Sequence, residues 1–550
     1  MNEISSWKKL PEIHPDLRLK VLAILAATQA VCYGAILQLS HRFNYDIPPG
    51  KHPVIAVLFF FAVAFGLYLL SLGLVWNFRG TERNPFRLTA IVFGFALLFR
   101  AVLWLSQPIQ ETDFYRYLWD GRVAAEGMNP YRFSPAQIER EGNLPESPLL
   151  LKNLAELKNR SPELQTIFSR INQREVPTIY PPFSQALCAV SALLTPANIS
   201  VVWQVRILKF ILLLFDLATV AIIWAILREL AMPVGRAIAY AWCPLVLKEF
   251  ANSAHLDSVA VCLVTLTVWL LIRARSAGEK RKSSLLDSLA AGAWALAILA
   301  KFYPIILAPV FIRFWWTRYR WSSVLLIGFS AAIVASTYLP IAKLERPDEA
   351  DAFNGLRTFL SRWEMNDLLF MAAKENLGES KEWFTIMPDN LRTAIENQAG
   401  EMFHSFGITT TETSAAFLLT QLLMGVVVMT ICFWAAFRSW TGDIRLRLLE
   451  SVFLCLAWLW FLSPTQNPWY WTWTLPFIVF ARSRIWLLVS GFAFLYYLRF
   501  WLENRFAQTS LLGTPYSGEQ FFDYVLVWFE HLPILFILVV TGDRKRVSRL

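Results

Sequence analysis

Charge is scarce in this chain: Asp, Glu, Lys and Arg together make up 17% of its 550 residues. A soluble protein of that length divides into domains and covers each of them with charge, so an ordinary soluble architecture is excluded. Cysteine is also sparse and unpatterned. Cys32, Cys188, Cys243, Cys262, Cys432 and Cys455 include no CxxC pair. That spacing supports neither a metal ribbon nor a disulfide framework, and packing within apolar runs is the reading left for them. No internal repeat or low-complexity stretch interrupts the chain. No small-residue cleavage site follows the first apolar run, which therefore reads as a retained span and not as a signal peptide.

What the chain has is apolar length. Hydrophobic residues make up 56% of it, the mean hydropathy is +0.43, and runs such as 21–40, 53–76, 88–106, 321–341 and 417–437 each reach the roughly 20 residues that cross a bilayer. The 24 Trp suit the headgroup boundary, where indole prefers to sit. A net charge of +10 raises nucleic acid as a partner, but its distribution argues against one. The bases fall in short linkers between apolar runs (Arg79, Arg83 and Arg87, then 273–282, 313–320, 438–447, Arg482 and Arg484, and 544–549). Positive linkers stay inside, so the expectation is an all-α polytopic membrane protein with about 14 transmembrane helices and both termini cytoplasmic. The short runs 236–252, 303–316 and 468–481 admit broken or re-entrant helices.

Two connections are too long for turns, and both fall outside in this threading. The resulting division is 1–106 for the N-terminal spans, 107–202 for a first outer loop, 203–341 for a central bundle, 342–413 for a second outer loop and 414–550 for the C-terminal spans. Within the first loop, Ser161-Pro162-Glu163 reads as a cap, a first-turn proline and an acid ahead of an amphipathic helix. The apolar stretch 184–194 is too short to span and reads as re-entrant or interfacial.

Charges within spans are expensive and are candidates for function. Arg100, Arg206, Lys209, Asp216, Lys248, Glu249, Asp257 and Lys301 qualify. Snorkelling and structural ion pairs account for such residues singly. Four bases toward one leaflet (Arg206, Lys209, Lys248 and Lys301) together point to an anion, with a lipid phosphate the natural candidate.

The exit of the third span carries Glu111-Thr112-Asp113, followed by Arg116, Tyr117 and Asp120. On extended chain Glu111 and Asp113 point the same way, and along a helix Asp113, Arg116 or Tyr117, and Asp120 share a face. Acids beside aromatics and Arg suit a sugar site, with a base for a hydroxyl and flat rings for sugar faces. Plain N-capping by Asp113 is the competing explanation.

Glu111-Thr112-Asp113 resembles the acidic motif of GT-C glycosyltransferases. Gly127-Met128-Asn129-Pro130-Tyr131, Tyr180-Pro181-Pro182, Asn252–Asp257, Lys301-Phe302-Tyr303-Pro304 and Asn467-Pro468-Trp469-Tyr470 follow in order. From about residue 88 to 480 this succession resembles the bacterial polyprenyl-phosphate-mannose-dependent mannosyltransferases of glycosyltransferase family 87. It is similar, more distantly, to the first mannosyltransferase of GPI-anchor synthesis. The resemblance implies a GT-C-like bundle that moves a sugar, with mannose foremost, from a polyprenyl-phosphate donor to a glycan, glycolipid or protein hydroxyl with inversion. It places the active site on the outer face of a bacterial plasma membrane. Asp113 is then the base, with Glu111 as alternative. Lys301, Arg206 and Lys209 hold the lipid phosphate. His255 and Asp257 orient sugar or phosphate, and Asn129, Tyr131 and Tyr180 belong to the binding motifs. Trp363, Trp469 and Tyr470 either stack on sugar or sit in the interfacial belt. No metal and no cofactor beyond the lipid-linked sugar are expected. A lipid-linked-sugar flippase and a glycan polymerase or ligase are the rival readings.

Overall fold

The computed structural model describes residues 14–78, 85–342, 353–378, 385–408, 413–439, 442–481 and 483–547. Arg79, Arg83 and Arg482 lie outside them, as do parts of the second long connection. Among the described residues every regular element is helical, and the one bridge of β type pairs Met365 with Thr465.

Among the described residues, nine helices are long and apolar enough to cross a membrane by length and composition. They include α1 (Pro15–Ser40), α2 (Val54–Val75) and α3 (Pro85–Leu105). Ile444–Leu462 is nearly as long but carries Arg445, Arg447 and Glu450. The expected run 236–252 is not one span. It breaks into Ile238–Ala241, Pro244–Val246 and a π-helical turn at Leu247–Asn252. The run 468–481 likewise breaks into Pro468–Trp471 and Leu475–Ile478, and 484–502 into three pieces. Proline explains the breaks at Pro244, Pro468 and Pro476, since each sits in the first turn of a fragment and cannot continue a helix before it. The run from Tyr303 to Ala342 turns at Arg320, whose φ is +53°.

The two long connections meet at one end of the bundle. Arg132 in the first donates to the Ile341 carbonyl at 3.0 Å, just ahead of the second. At the opposite end the bases cap helix carbonyls: Arg275 on Phe314 at 2.7 Å, Arg318 on Ala274 at 2.9 Å, and Arg236 on Trp76 at 3.1 Å.

The first connection is a packed cap of short helices. α4 (Asp113–Ala125) lies against Pro182–Leu193, and Gly121 permits the approach. A Cβ at Gly121 would sit 2.4 Å from the Cys188 carbonyl oxygen. α4 stops at Gly127, whose φ of +76° completes a Schellman turn in which Met128 donates to Val123 at 3.1 Å and Gly127 to Ala124 at 3.0 Å. The helix Pro162–Ser169 starts as its sequence indicates, with the Ser161 hydroxyl accepting from the Leu164 amide at 3.2 Å. It buries Leu164, Ile167 and Phe168 and packs on α4. The stretch 184–194, expected to be re-entrant or interfacial, falls almost wholly in the helix Pro182–Leu193, which packs on α4 and on Val201–Glu229 and Lys280–Ala300.

Candidate active site

A cavity of about 1280 Å³ lies where the cap meets the bundle. Its wall includes Glu111, Asp113, Arg116, Tyr117, Tyr180, Arg206, Lys301, Trp363, Trp469 and Tyr470. Asp120, Asn129, Tyr131, Lys209, His255 and Asp257 are not in that wall.

The two acids of the Glu-Thr-Asp motif do not act as a pair pointing one way. Glu111 turns inward, where one carboxylate oxygen accepts the amides of Thr112 and Asp113, both at 2.7 Å. Glu111 therefore supplies the cap of α4, while Thr112 occupies the cap position without a side-chain capping bond. The other Glu111 oxygen lies 3.0 Å from His255 Nε2, which is also 3.2 Å from Glu249. Capping by Asp113 is thus excluded. Its carboxylate instead faces the cavity, accepting from Asn172 Nδ2 at 2.7 Å and from the Tyr180 hydroxyl at 3.1 Å.

His255 reaches this layer through a left-handed residue, Ala254 at φ +65°, between the π-turn and Asp257–Ser276. Its ring stacks on Trp469 with centroids 4.4 Å apart. Deeper still, Lys248 donates to Ser253 at 2.8 Å and to Tyr497 at 3.0 Å and lies 3.6 Å from Glu249, whose other oxygen takes the Tyr497 hydroxyl. Lys248, His255, Glu249 and Glu111 so form one polar cluster that runs from the cavity wall at Glu111 into the bundle.

Burial would lower the His255 pKa, but the adjoining Glu111 and Glu249 carboxylates outweigh it and push it up to about 10. Burial would also raise Glu111, yet the His255 charge and its hydrogen bond hold it below the ordinary value. Asp113 is raised, first by burial and then by the Glu111 charge, with His255, Asn172 and Tyr180 opposing.

Lys301 is not the unpaired ammonium that its local sequence suggests. Its Nζ donates to Asp257 at 2.8 Å, and the other Asp257 oxygen takes the Trp473 indole at 2.6 Å. The ammonium also lies 4.8 Å above the Tyr470 ring. Lys209 does not face an anion either. Fully buried, it donates to the Leu103 and Ser106 carbonyls at 2.8 Å each, satisfying the open end of α3. Asp216, on the same helix, pairs with Arg100 at 2.6 Å deep in the bundle. Arg206 sits at the rim over Trp203, with a 3.4 Å contact to the Leu105 carbonyl.

The rest of the first-loop motif holds Tyr180 in place. Asn129 accepts from the Tyr131 amide at 3.0 Å, and the Tyr131 hydroxyl donates to the Tyr180 carbonyl at 2.7 Å. The Arg116 side chain donates to the Asn172 and Gln173 carbonyls at 3.2 and 3.0 Å, fixing the loop that presents Asn172. Asp120 is buried behind this layer, 3.3 Å from Gln185 Nε2. Trp363 is clipped to the far wall, its carbonyl accepting from Thr465 at 3.1 Å.

Asn172 and Trp473 are the residues that sequence reasoning passed over. Asn172 carried no local signal. Trp473 had one, since it lies four residues beyond Trp469, one helical turn on.

A family model described as "Alpha-(1->6)-mannopyranosyltransferase, N-terminal domain" matches residues 21–318. No curated protein and no solved structure matches the chain.

Proposed function

This chain belongs to the alpha-(1->6)-mannopyranosyltransferase family, whose model spans a little over half of it, and we propose that it moves mannose from a polyprenyl-phosphate to an acceptor hydroxyl with inversion. The observation that carries this reading is the division of labour between two neighbouring acids. Both acids line the cavity, but Glu111 is engaged by the α4 amides and His255, whereas Asp113 accepts from two neutral donors, Asn172 and the Tyr180 hydroxyl.

One carboxylate placed to act as a base supports a single displacement. The acceptor oxygen attacks the anomeric carbon as the bond from that carbon to the phosphate oxygen breaks. The electron pair leaves with the polyprenyl phosphate, and the acceptor proton passes to Asp113. Retention would ask for a second carboxylate free to act as nucleophile. An α-linked product, as the family description names, follows by inversion from a β-linked donor. Lys301 keeps ammonium protons beyond the one given to Asp257, and these serve the phosphate as charge collects there. Arg206 stands at the rim for the same lipid phosphate.

The bases that cap helices at the opposite end support an inside location for that end, and so an outward-facing site. Resemblance favours the plasma membrane of a bacterium and a GT-C-like bundle. Asp113 alone does not make a divalent site, and lysine neutralises a single phosphate without a metal. With a β-linked polyprenyl-phosphate mannose in EDTA-containing buffer, proton NMR is expected to show an α-linked product. A β-linked product, or transfer lost in EDTA and restored by magnesium, contradicts the mechanism.

The pH profile tests the layer under Asp113. Because Asp113 titrates above the ordinary range, kcat/KM falls on the acid side at a higher pH than a free aspartate would give. Glu111→Gln removes a nearby negative charge, so that limb moves to lower pH. His255→Asn removes a positive charge, so it moves to higher pH. Shifts of the same sign in both variants would show that Asp113 is not the titrating group.

A further inference from the structure

The cavity wall changes character along its length. Toward Ala415–Phe437 it is lined by Leu360, Met424, Val428 and Met429, a surface for an apolar chain. The connection between α1 and α2 contributes something different. Tyr45 stands in the wall and is 54% exposed. The Arg170 guanidinium lies 4.6 Å from its ring centroid, and the Tyr115 ring meets it edge-on at 6.1 Å. Arg170 is itself pinned, donating to the Tyr115 hydroxyl and to Asp46, both at 3.0 Å.

An exposed ring held by a fixed cation gives a rigid, amphipathic plane. The same turn, at Pro49–Lys51, packs on Leu498–Arg505, which brings Glu503 and Asn504 into the wall. Arg170 and Tyr115 flank the ring, and Glu503 and Asn504 add polar groups to the same wall, a setting that suits hydroxyls and not lipid. Asn172, two residues past Arg170 on the same loop, donates to Asp113 at 2.7 Å, so the loop that pins the ring also meets the base.

We infer that Tyr45, Tyr115 and Arg170 form the acceptor subsite, a stacking platform for an oligosaccharide whose terminal hydroxyl is delivered to Asp113. The inference rests on the transferase reading, and it assigns a role to a connection outside the motifs that carry the family resemblance. The C–H face of a hexose packs on the Tyr45 ring while Arg170 and the neighbouring polar groups take its hydroxyls.

Binding is measurable without turnover, which separates the two ideas. Calorimetric titration of the full-length protein with a mannotriose is expected to show binding that Tyr45→Ala weakens about tenfold, as loss of one aromatic contact worth about 1.4 kcal/mol does. Tyr45→Trp keeps a plane and recovers most of the affinity. In the transfer assay the Tyr45→Ala effect falls on acceptor KM and not on donor KM. Equal binding by the natural chain and Tyr45→Ala, or no binding by either, overturns the platform. Weakened binding by Tyr45→Ala in a protein that transfers no sugar overturns the transferase reading and leaves the saccharide subsite standing.

Discussion

Asp113→Asn is expected to lower sugar transfer at least about a hundredfold while leaving folding and donor binding near those of the natural chain. A sugar hydroxyl is a weak nucleophile at neutral pH, and a positioned base contributes about 10²–10⁴ in rate. The substitution is structurally mild here for identifiable reasons. α4 is capped by Glu111 and not by Asp113. The new amide oxygen still accepts from Asn172, and the Tyr180 hydroxyl can turn to accept from the amide nitrogen. Single-turnover transfer measured beside thermal unfolding separates chemistry from stability. Turnover close to that of the natural chain would remove Asp113 from the mechanism.

Lys301→Ala should cost about ten- to a hundredfold in donor-dependent transfer, the loss of one charged hydrogen bond of about 1.5–3 kcal/mol to the leaving phosphate. A second effect accompanies it. Asp257 is 1% exposed and, among the described residues, is left with the Trp473 indole, so removing its cation leaves a buried charge that costs about 3–5 kcal/mol of stability. The double variant Lys301→Ala with Asp257→Asn separates the two. It is expected to regain thermal stability and to remain slow, because no ammonium faces the donor. Lys301→Arg keeps the charge and part of the turnover. Full activity in the double variant would reduce Lys301 to the counter-ion of Asp257.

The long apolar helices were legible from periodicity and length alone, and so was the Pro162–Ser169 helix from its cap. The acidic motif was legible as a place, at the end of α3 and the start of α4. Its internal geometry was not. Period-two alternation put Glu111 and Asp113 on one side, but α4 begins between them and turns each toward a different layer. Charges within apolar runs announced that partners exist, because an unpaired charge there is too costly to keep. They did not say which partners. Lys301 meets Asp257 across 44 residues, and Lys209 meets carbonyls about 103 residues away. Such contacts depend on how helices pack, which no local window carries. Run length marked 236–252 and 468–481 as short enough to be broken, and both are, but hydropathy did not say where, since a buried fragment and a span share the same composition. The prolines that begin the fragments were the available signal.

The identity of the donor is the most direct test of the proposed transfer. Purified protein in lipid nanodiscs, given an acceptor saccharide and mannose labelled in one of two forms, decides it. The account predicts that label leaves polyprenyl-phosphate mannose and enters the acceptor, while nucleotide-activated mannose is untouched. Label entering the acceptor from the nucleotide sugar, with the lipid-linked sugar unconsumed, would contradict it.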